Sequence, residues 1–342
     1  MSSTERLHAL DINVEELRIE RAQVETSAGW TRVTTTVVLC GGGHEGRGED
    51  VCYEMVDHEH FPEPDLFGIG TFGDVSRRIG QAELWPAKPP EHVASADYRL
   101  WAFESAALDL ALRQADLSLG EALGRAYEPV HFAVSGVDDP AGWLEANDSL
   151  DFKLDVAMSW DEELMRSYAQ TGRIRVLDFK AYYTSAKVDG VDDPATYALV
   201  SSMFPDAILE DAALNDETLA ALASSLGLLS FDAPIHSLAD VHALSVHPRF
   251  LNIKPSRFGT VQRLLACIEW CLDSEVAMYG GGQFELGVGR EQIQALASLF
   301  YAASANDVAP AVYNTATDPR GDLPRTPLPV PDRLMGFTFD SA

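Results

Sequence analysis

Apolar and polar positions alternate along LRIERAQV and TRVTTTVVLC, the two-residue period of strands buried on one face. GGGHEGRGED, between TRVTTTVVLC and VCYEMV, reads as a glycine-rich hairpin connection between antiparallel strands. In DYRLWAFESAALDLALRQADLSLGEALG the apolar positions fall three and four apart, which predicts a long amphipathic helix and its continuation. This opening part is expected to be an α+β module. From about Tyr127 the texture changes. Short apolar runs recur in VHFAVSG, LDFKLDV, IRVLDFKAYY, DAILED, LGLLSFDAP, RFLNIKPS, SEVAMYGG and VAPAVYN. Between most of them lie helical stretches such as SWDEELMRSYAQTG, NDETLAALASSLG and TVQRLLACIEWCLD. Strand and helix in regular alternation are the signature of parallel βα units. Eight strands with few long loops favour a closed barrel. No GxGxxG opens a helix after the first strand, which argues against a dinucleotide fold. The tail, TATDPRGDLPRTPLPVPDRLMGFTFDSA, is proline-rich and aperiodic, and is expected to lie back across the protein over the barrel mouth.

Composition narrows the partners. The chain has 342 residues, 46% of them hydrophobic, enough for a sizeable core, and a formal net charge of −28. Such an excess of acid is repelled by nucleic acid and by anionic membrane surfaces, so neither is expected as a partner. Cys40, Cys52, Cys267 and Cys271 show no CxxC spacing and read as free thiols. No apolar run approaches the length of a membrane span, and MSSTERLHALDINVEELRIE lacks a basic start followed by an apolar stretch. A cytoplasmic location is expected.

Strand alternation also aims side chains. In LDFKLDV, Phe152 and Leu154 face the helices, leaving Lys153 and Asp155 to face inward. By the same reasoning Asp178 and Lys180, then Glu210, Asp232 and Lys254, face in from the next four strands, and Asn252 shares the face of Lys254. Barrel chemistry gathers at the C-terminal strand ends, where these residues lie. Asp178, Glu210 and Asp232, three carboxylates from consecutive strands, would repel one another without a cation. An oxygen-only set of this kind suits a hard divalent ion such as Mg2+, with Mn2+ as an alternative.

The order and spacing resemble the enolase superfamily, in particular the mandelate racemase and muconate lactonising enzyme branch with o-succinylbenzoate synthases and N-acylamino acid racemases. The matching stretches are GHEGRGED, FESAALDLAL, LEDAAL, FDAPIHSLADV, NIKPSRFG and GGGQFELGVGR. The resemblance implies an α/β fold, a modified TIM barrel of (β/α)7β type under an N-terminal α+β capping domain. The expected division is 1–126 for the capping domain with its linking helix, 127–318 for the barrel and 319–342 for a tail packing back on the capping domain. It further implies Asp178, Glu210 and Asp232 as magnesium ligands and Lys254 as general acid/base, its pKa drawn down by the metal. The implied chemistry is a lyase or isomerase reaction that removes a proton α to a substrate carboxylate and holds the enediolate on the metal. The usual second-strand Lys-x-Lys is here Lys153-Leu154-Asp155, and the usual third-strand Asp-x-Asn is Asp178-Phe179-Lys180. Loss of the second lysine points toward dehydration or another β-elimination, which needs one base. A racemase or cycloisomerase using Lys180 or Asp155 in the missing role is the alternative, as is a barrel that has lost catalysis. Asp155 is expected to pair with Lys153, and Lys180 could fold back among Glu210 and Asp232 in place of the metal. Glu285, Asn252 and His44 are candidates for contact with a small-molecule carboxylate substrate. Homo-oligomerisation is left open.

Overall fold

A computed structural model of the chain describes residues 2–27, 29–183 and 190–339. Five strands precede the barrel: β1 (Asp11–Val14), β2 (Glu16–Glu25), β3 (Thr31–Gly41), β4 (His44–Asp50) and β5 (Gly68–Thr71). β2, β3 and β4 form an antiparallel sheet in that order, and β1 pairs with β5. The expected glycine-rich connection is mostly strand. Only Gly42 and Gly43 turn, both with positive φ, and HEGRGED is β4 itself. VCYEMV is not a strand, and a 3-10 turn runs over Met55–His58. The glycines of β4 serve helix packing rather than a loop. A Cβ on Gly46 would lie 2.2 Å from the Leu110 amide nitrogen, and one on Gly48 would lie 2.1 Å from the Ala102 carbonyl oxygen. The helix Ser95–Gln114 therefore rests directly on the strand. That helix also touches the barrel segments Pro255–Phe258 and Val261–Asp273, so one continuous apolar core runs through both modules.

The barrel strands follow as β6 (Ala133–Val134), β7 (Asp151–Asp155), β8 (Ile174–Asp178), β9 (Ile208–Glu210), β10 (Leu229–Phe231), β11 (Phe250–Ile253) and β12 (Ala277–Gly280). All are parallel and neighbour one another in chain order. The expected eighth strand, VAPAVYN, is instead a 3-10 turn at Ala311–Asn314, entered through Pro310, which has no N–H to give a ladder. Closure comes a few residues earlier. Asp307 N–H donates to the Gly280 carbonyl (2.8 Å) and Ala133 N–H to the Asn306 carbonyl (2.7 Å), joining the last strand to the first. The outer helices start where side chains cap them. Asp139, Asp161, Asp193, Asn215, Ser237 and Thr260 each accept an amide of the first turn, a contribution of about 1 kcal/mol apiece.

Among the described residues the tail packs on the long helix and the start of the barrel rather than across the mouth. Leu328 pairs with Val130 ahead of β6, Gly336 bonds Leu117 and Leu119, and Phe337 N–H donates to Asp109 (2.7 Å) while its ring meets Trp101. Its aromatic side chains find their partners on the long helix and ahead of the barrel, Phe337 on Trp101 and Phe339 on Tyr127. Among the described residues no helix is long and apolar enough to cross a membrane.

Candidate active site

The parallel ladder sets the depth of each ionisable group. Asp155, Asp178 and Glu210 are level across β7, β8 and β9, and Ser230 of β10 is level with Glu210. Asp232 therefore stands two residues, about 7 Å, further along its strand. Lys153 lies one inward layer below Asp155, opposite Val176, and reaches up. Its Nζ is 2.5 Å from Glu210 Oε1, 3.2 Å from Asp178 Oδ2 and 3.7 Å from Asp307 Oδ2. The expected pairing of Lys153 with Asp155 is not what the structure contains. Asp155 points out at the rim and is held instead by Lys180, whose Nζ lies 3.0 Å from Asp155 Oδ1 and 2.5 Å from Asp178 Oδ2. Lys180 does fold back, but onto these two carboxylates rather than onto Glu210 and Asp232.

Lys254 emerges from the end of β11 with its Nζ 2.9 Å from Asp232 Oδ2. The same oxygen receives Arg257 Nη2 (3.2 Å) and the Tyr183 hydroxyl (3.3 Å), and Arg257 also donates to that hydroxyl (2.8 Å). Glu210 accepts both oxygens' share from Asn252 Nδ2 (3.2 Å each) and a bond from the Tyr279 hydroxyl, which Ser230 supports. Burial pushes Glu210 and Asp211 upward, with neighbouring carboxylates adding to the push, while Lys153 pulls Glu210 back. Asp178 and Asp232 stay below the usual carboxylate range despite burial, through Lys180 and Lys153 for the first and Arg257 and Lys254 for the second. Lys254 was expected to be depressed. Burial does lower it, but Asp232 outweighs burial and the net direction is upward.

Asp178, Glu210, Asp232, Asn252, Lys153, Lys180 and Lys254 thus converge, with Asp155 at their edge. Two candidates do not join them. His44 sits at the β3–β4 turn beside Gln114, at the C-terminal end of the long helix. Asp97, near the helix start, is what meets the barrel loops through His236 and Arg263. Seventeen helical residues, about 25 Å, separate those two ends. Glu285 is buried against Arg290 (3.0 Å) and accepts the Gln283 amide (2.7 Å), so its described partners lie outside the cluster. The sequence reading missed Asp211, Tyr183, Arg257, Tyr279 and Asp307. Arg257 had a signal, lying three residues past Lys254 where Pro255 opens a helical turn. Asp307 had none. Lys180 and Asp211 both hold φ of +52°, a left-handed backbone that costs a non-glycine residue about 1–2 kcal/mol.

Among the described residues, the carboxylates whose oxygens fall within 4.8 Å of one another are Asp178, Glu210 and Asp211. Asp232 was expected in the third place. The ladder stagger lifts it away, and Lys254 and Arg257 hold it there. Asp211 in turn accepts the amides of Asp232 (2.8 Å) and Ala233 (3.0 Å), so both its oxygens are engaged. The donor set nevertheless fits a hard dication. Asp232 Oδ1 is buried and has no hydrogen-bond partner among the described residues. Among the described residues the contact network holds six carboxylates (Asp155, Asp178, Glu210, Asp211, Asp232 and Asp307) against four cations (Lys153, Lys180, Lys254 and Arg257). With every group counted as ionised, the excess is two negative charges, the charge of one divalent ion.

Two family descriptions match the chain in order, the domain of unknown function DUF8230 N-terminal domain over residues 5–122 and its C-terminal domain over residues 126–315. No curated protein matches. Solved structures that it resembles are of enolase-superfamily fold. A dipeptide epimerase from Enterococcus faecalis V583 superposes with a TM-score of 0.70 at 16% identity, covering 96% of this chain and 99% of that one. A muconate lactonizing enzyme from Pseudomonas fluorescens, complexed with muconolactone, gives 0.66 at 17% identity, with 87% and 88% covered. An enolase-superfamily member from Listeria innocua Clip11262 gives 0.64 at 20% identity, with 96% and 95% covered. The fold expected from the sequence is the fold found.

Proposed function

We propose, for a chain that belongs to the DUF8230 family and carries the enolase-superfamily fold, that it is a divalent-metal-dependent lyase or isomerase removing a proton α to a carboxylate. The observation that carries this reading is the buried Lys254 ammonium at a C-terminal strand end, 2.9 Å from the buried carboxylate of Asp232. Asp178 and Glu210 would hold Mg2+ or Mn2+, joined by the free Oδ1 of Asp232 once that carboxylate moves in from where Lys254 and Arg257 hold it. When bound, that ion supplies positive charge that acidifies the substrate's α-proton and opposes the upward pull on Lys254. Lys254 takes the proton as the neutral amine and becomes the ammonium, and Asp232 with Arg257 fixes the direction from which its Nζ approaches. Lys153 balances the charge of Asp178 and Glu210 from below. A base on one face suffices for β-elimination, since the same ammonium can return the proton to a leaving hydroxyl, so dehydration is favoured. A second reading, racemase or cycloisomerase, is favoured by the partly exposed Lys180 ammonium past the end of β8, with β9 and β10 between it and β11.

Incubation of small carboxylic acids in D2O with Mg2+ tests the proposal. α-Deuterium should enter with retained configuration, and Lys254→Ala should abolish the exchange. Exchange on both faces favours the second reading. Exchange that survives Lys254→Ala rules out Lys254 as the base.

A further inference from the structure

The three lysines of the mouth differ in what holds them. Lys153 and Lys254 have side chains 3% and 9% exposed, and their carboxylate partners in the strand ends are buried. Lys180 is 22% exposed and is shared between unlike partners, the fully buried Asp178 and the rim residue Asp155, which is 63% exposed. The buried side is fixed twice over, because Asp178 Oδ1 also accepts the Lys180 amide at 3.0 Å. The Tyr183 ring stands 5.6 Å beneath the ammonium as a further wall. Asp155, by contrast, has Lys180 as its described ion-pair partner and is otherwise open to solvent. An exposed pair of this kind is worth little against a competing carboxylate, because water solvates the displaced partner.

We propose that Asp155 is an internal stand-in for a ligand carboxylate: it occupies Lys180 in the resting protein, and an incoming small-molecule carboxylate takes its place on that ammonium. Lys180 is then an anion-binding residue of the mouth rather than a proton-transfer group, and Asp155 sets the threshold for occupancy. This rests on the reading that the substrate is a carboxylate. The ligand class is a small mono- or dicarboxylate whose charged end meets Lys180 and whose remainder extends toward Lys254. No covalent step is involved.

Succinate serves as the probe, titrated calorimetrically into the full chain at fixed Mg2+ and low ionic strength. Asp155→Asn should bind about five-fold more tightly than the unaltered protein, since the competitor is gone while Lys180 remains. Lys180→Gln should weaken binding at least ten-fold, with Lys180→Arg restoring most of it. Asp148→Asn, an equal charge change at an exposed position off the barrel mouth, should leave affinity unchanged. Equal affinities for Asp155→Asn and Asp148→Asn overturn the inference, as does failure of succinate to bind any form. Deuterium exchange at Lys254 alongside unaltered Asp155→Asn binding would remove this inference and leave the proposed reaction standing. Absence of exchange with the five-fold gain intact would do the reverse.

Discussion

Replacing Lys153 by Met tests whether the barrel mouth is held together by charge compensation. Lys153 Nζ is 2.5 Å from Glu210 and 3.2 Å from Asp178, and all three side chains are buried. At an effective dielectric constant of about 20 the Glu210 pair alone is a gross attraction of about 7 kcal/mol. Desolvating the ammonium offsets much of that, and breaking a buried pair from one side has a net cost of about 3–5 kcal/mol because the remaining charge is uncompensated. Asp178 would keep Lys180. Glu210 would keep only Asn252 and Tyr279, both neutral. For 342 residues at about 2.1 cal/mol/K each, the loss corresponds to a Tm lower by about 4–7 °C.

The loss should depend on pH. Glu210 already sits above its ordinary carboxylate range through burial, and without Lys153 it moves further up. A protonated Glu210 needs no cation, so the deficit should be small near pH 5.5, where Glu210, pushed up to about 8, is neutral in both proteins, and should grow as pH rises through and beyond that value. Mg2+ provides the second axis. With the competing ammonium gone, the Mg2+-induced rise in Tm should be larger in Lys153→Met than in the unaltered protein. Thermal unfolding followed by circular dichroism at pH 5.5 and 8.5, with Mg2+ or EDTA, reads both axes. A variant as stable as its parent at pH 8.5 would refute the charge-compensation argument. A variant indifferent to Mg2+ would refute the claim that these carboxylates present themselves to a dication.

Two further predictions concern stability. Glu104 is buried in the long helix with its pKa raised to about 7, chiefly by desolvation. Its protonated form therefore stabilises the fold below the unfolded value of 4.5, and this stability is lost as pH rises from there through about 7, roughly 1.4 kcal/mol per unit. Glu104→Gln, which mimics the protonated carboxyl, should remove that slope and raise Tm at pH 8, whereas a variant less stable than its parent at pH 8 shows the carboxylate to be stabilising. The net charge of −28 should make the whole chain salt-dependent, with Tm rising from 0.05 to 1 M KCl as the screening length falls from above 10 Å to about 3 Å. A flat or falling Tm over that range refutes self-repulsion as a destabilising force.

What the sequence disclosed and withheld follows from range. Period-two alternation made Asp178, Glu210, Asp232 and Lys254 readable as inward strand-end residues, because facing depends only on a residue's own strand. Depth depends on the neighbouring strand's register. Asp232 is inward as expected, yet the stagger at Ser230 sets it a layer beyond Glu210, and no local pattern encodes that offset. The Lys153–Asp155 pairing failed for the same reason, since two residues on one face can lie at different depths. Gly46 and Gly48 were misread because a glycine that admits a helix and a glycine that admits a turn look alike until the helix is placed. The closing contact at Asn306 and Asp307 is too short to leave any periodicity.

The distribution of lysine adds a separate argument that needs no geometry beyond the strand ends. Of 25 Lys and Arg residues only five are lysines: Lys88, Lys153, Lys180, Lys187 and Lys254. For the buried pair with Asp50, for the carbonyls gathered by Arg32 and for the surface pairs of β2 and β4 the chain uses arginine, whereas Lys88 pairs with Glu91 at the surface. A guanidinium would fork onto the mouth carboxylates at least as well as an ammonium does. What it cannot do is give up its proton near neutral pH, and an ammonium can. Three of the five lysines stand on or just past the barrel strands β7, β8 and β11, the last of them beside Arg257, which already supplies permanent charge to the same Asp232 oxygen. A second cation is not needed there to pair that oxygen. It is required if Lys254 has to exchange a proton while Arg257 keeps the carboxylate compensated.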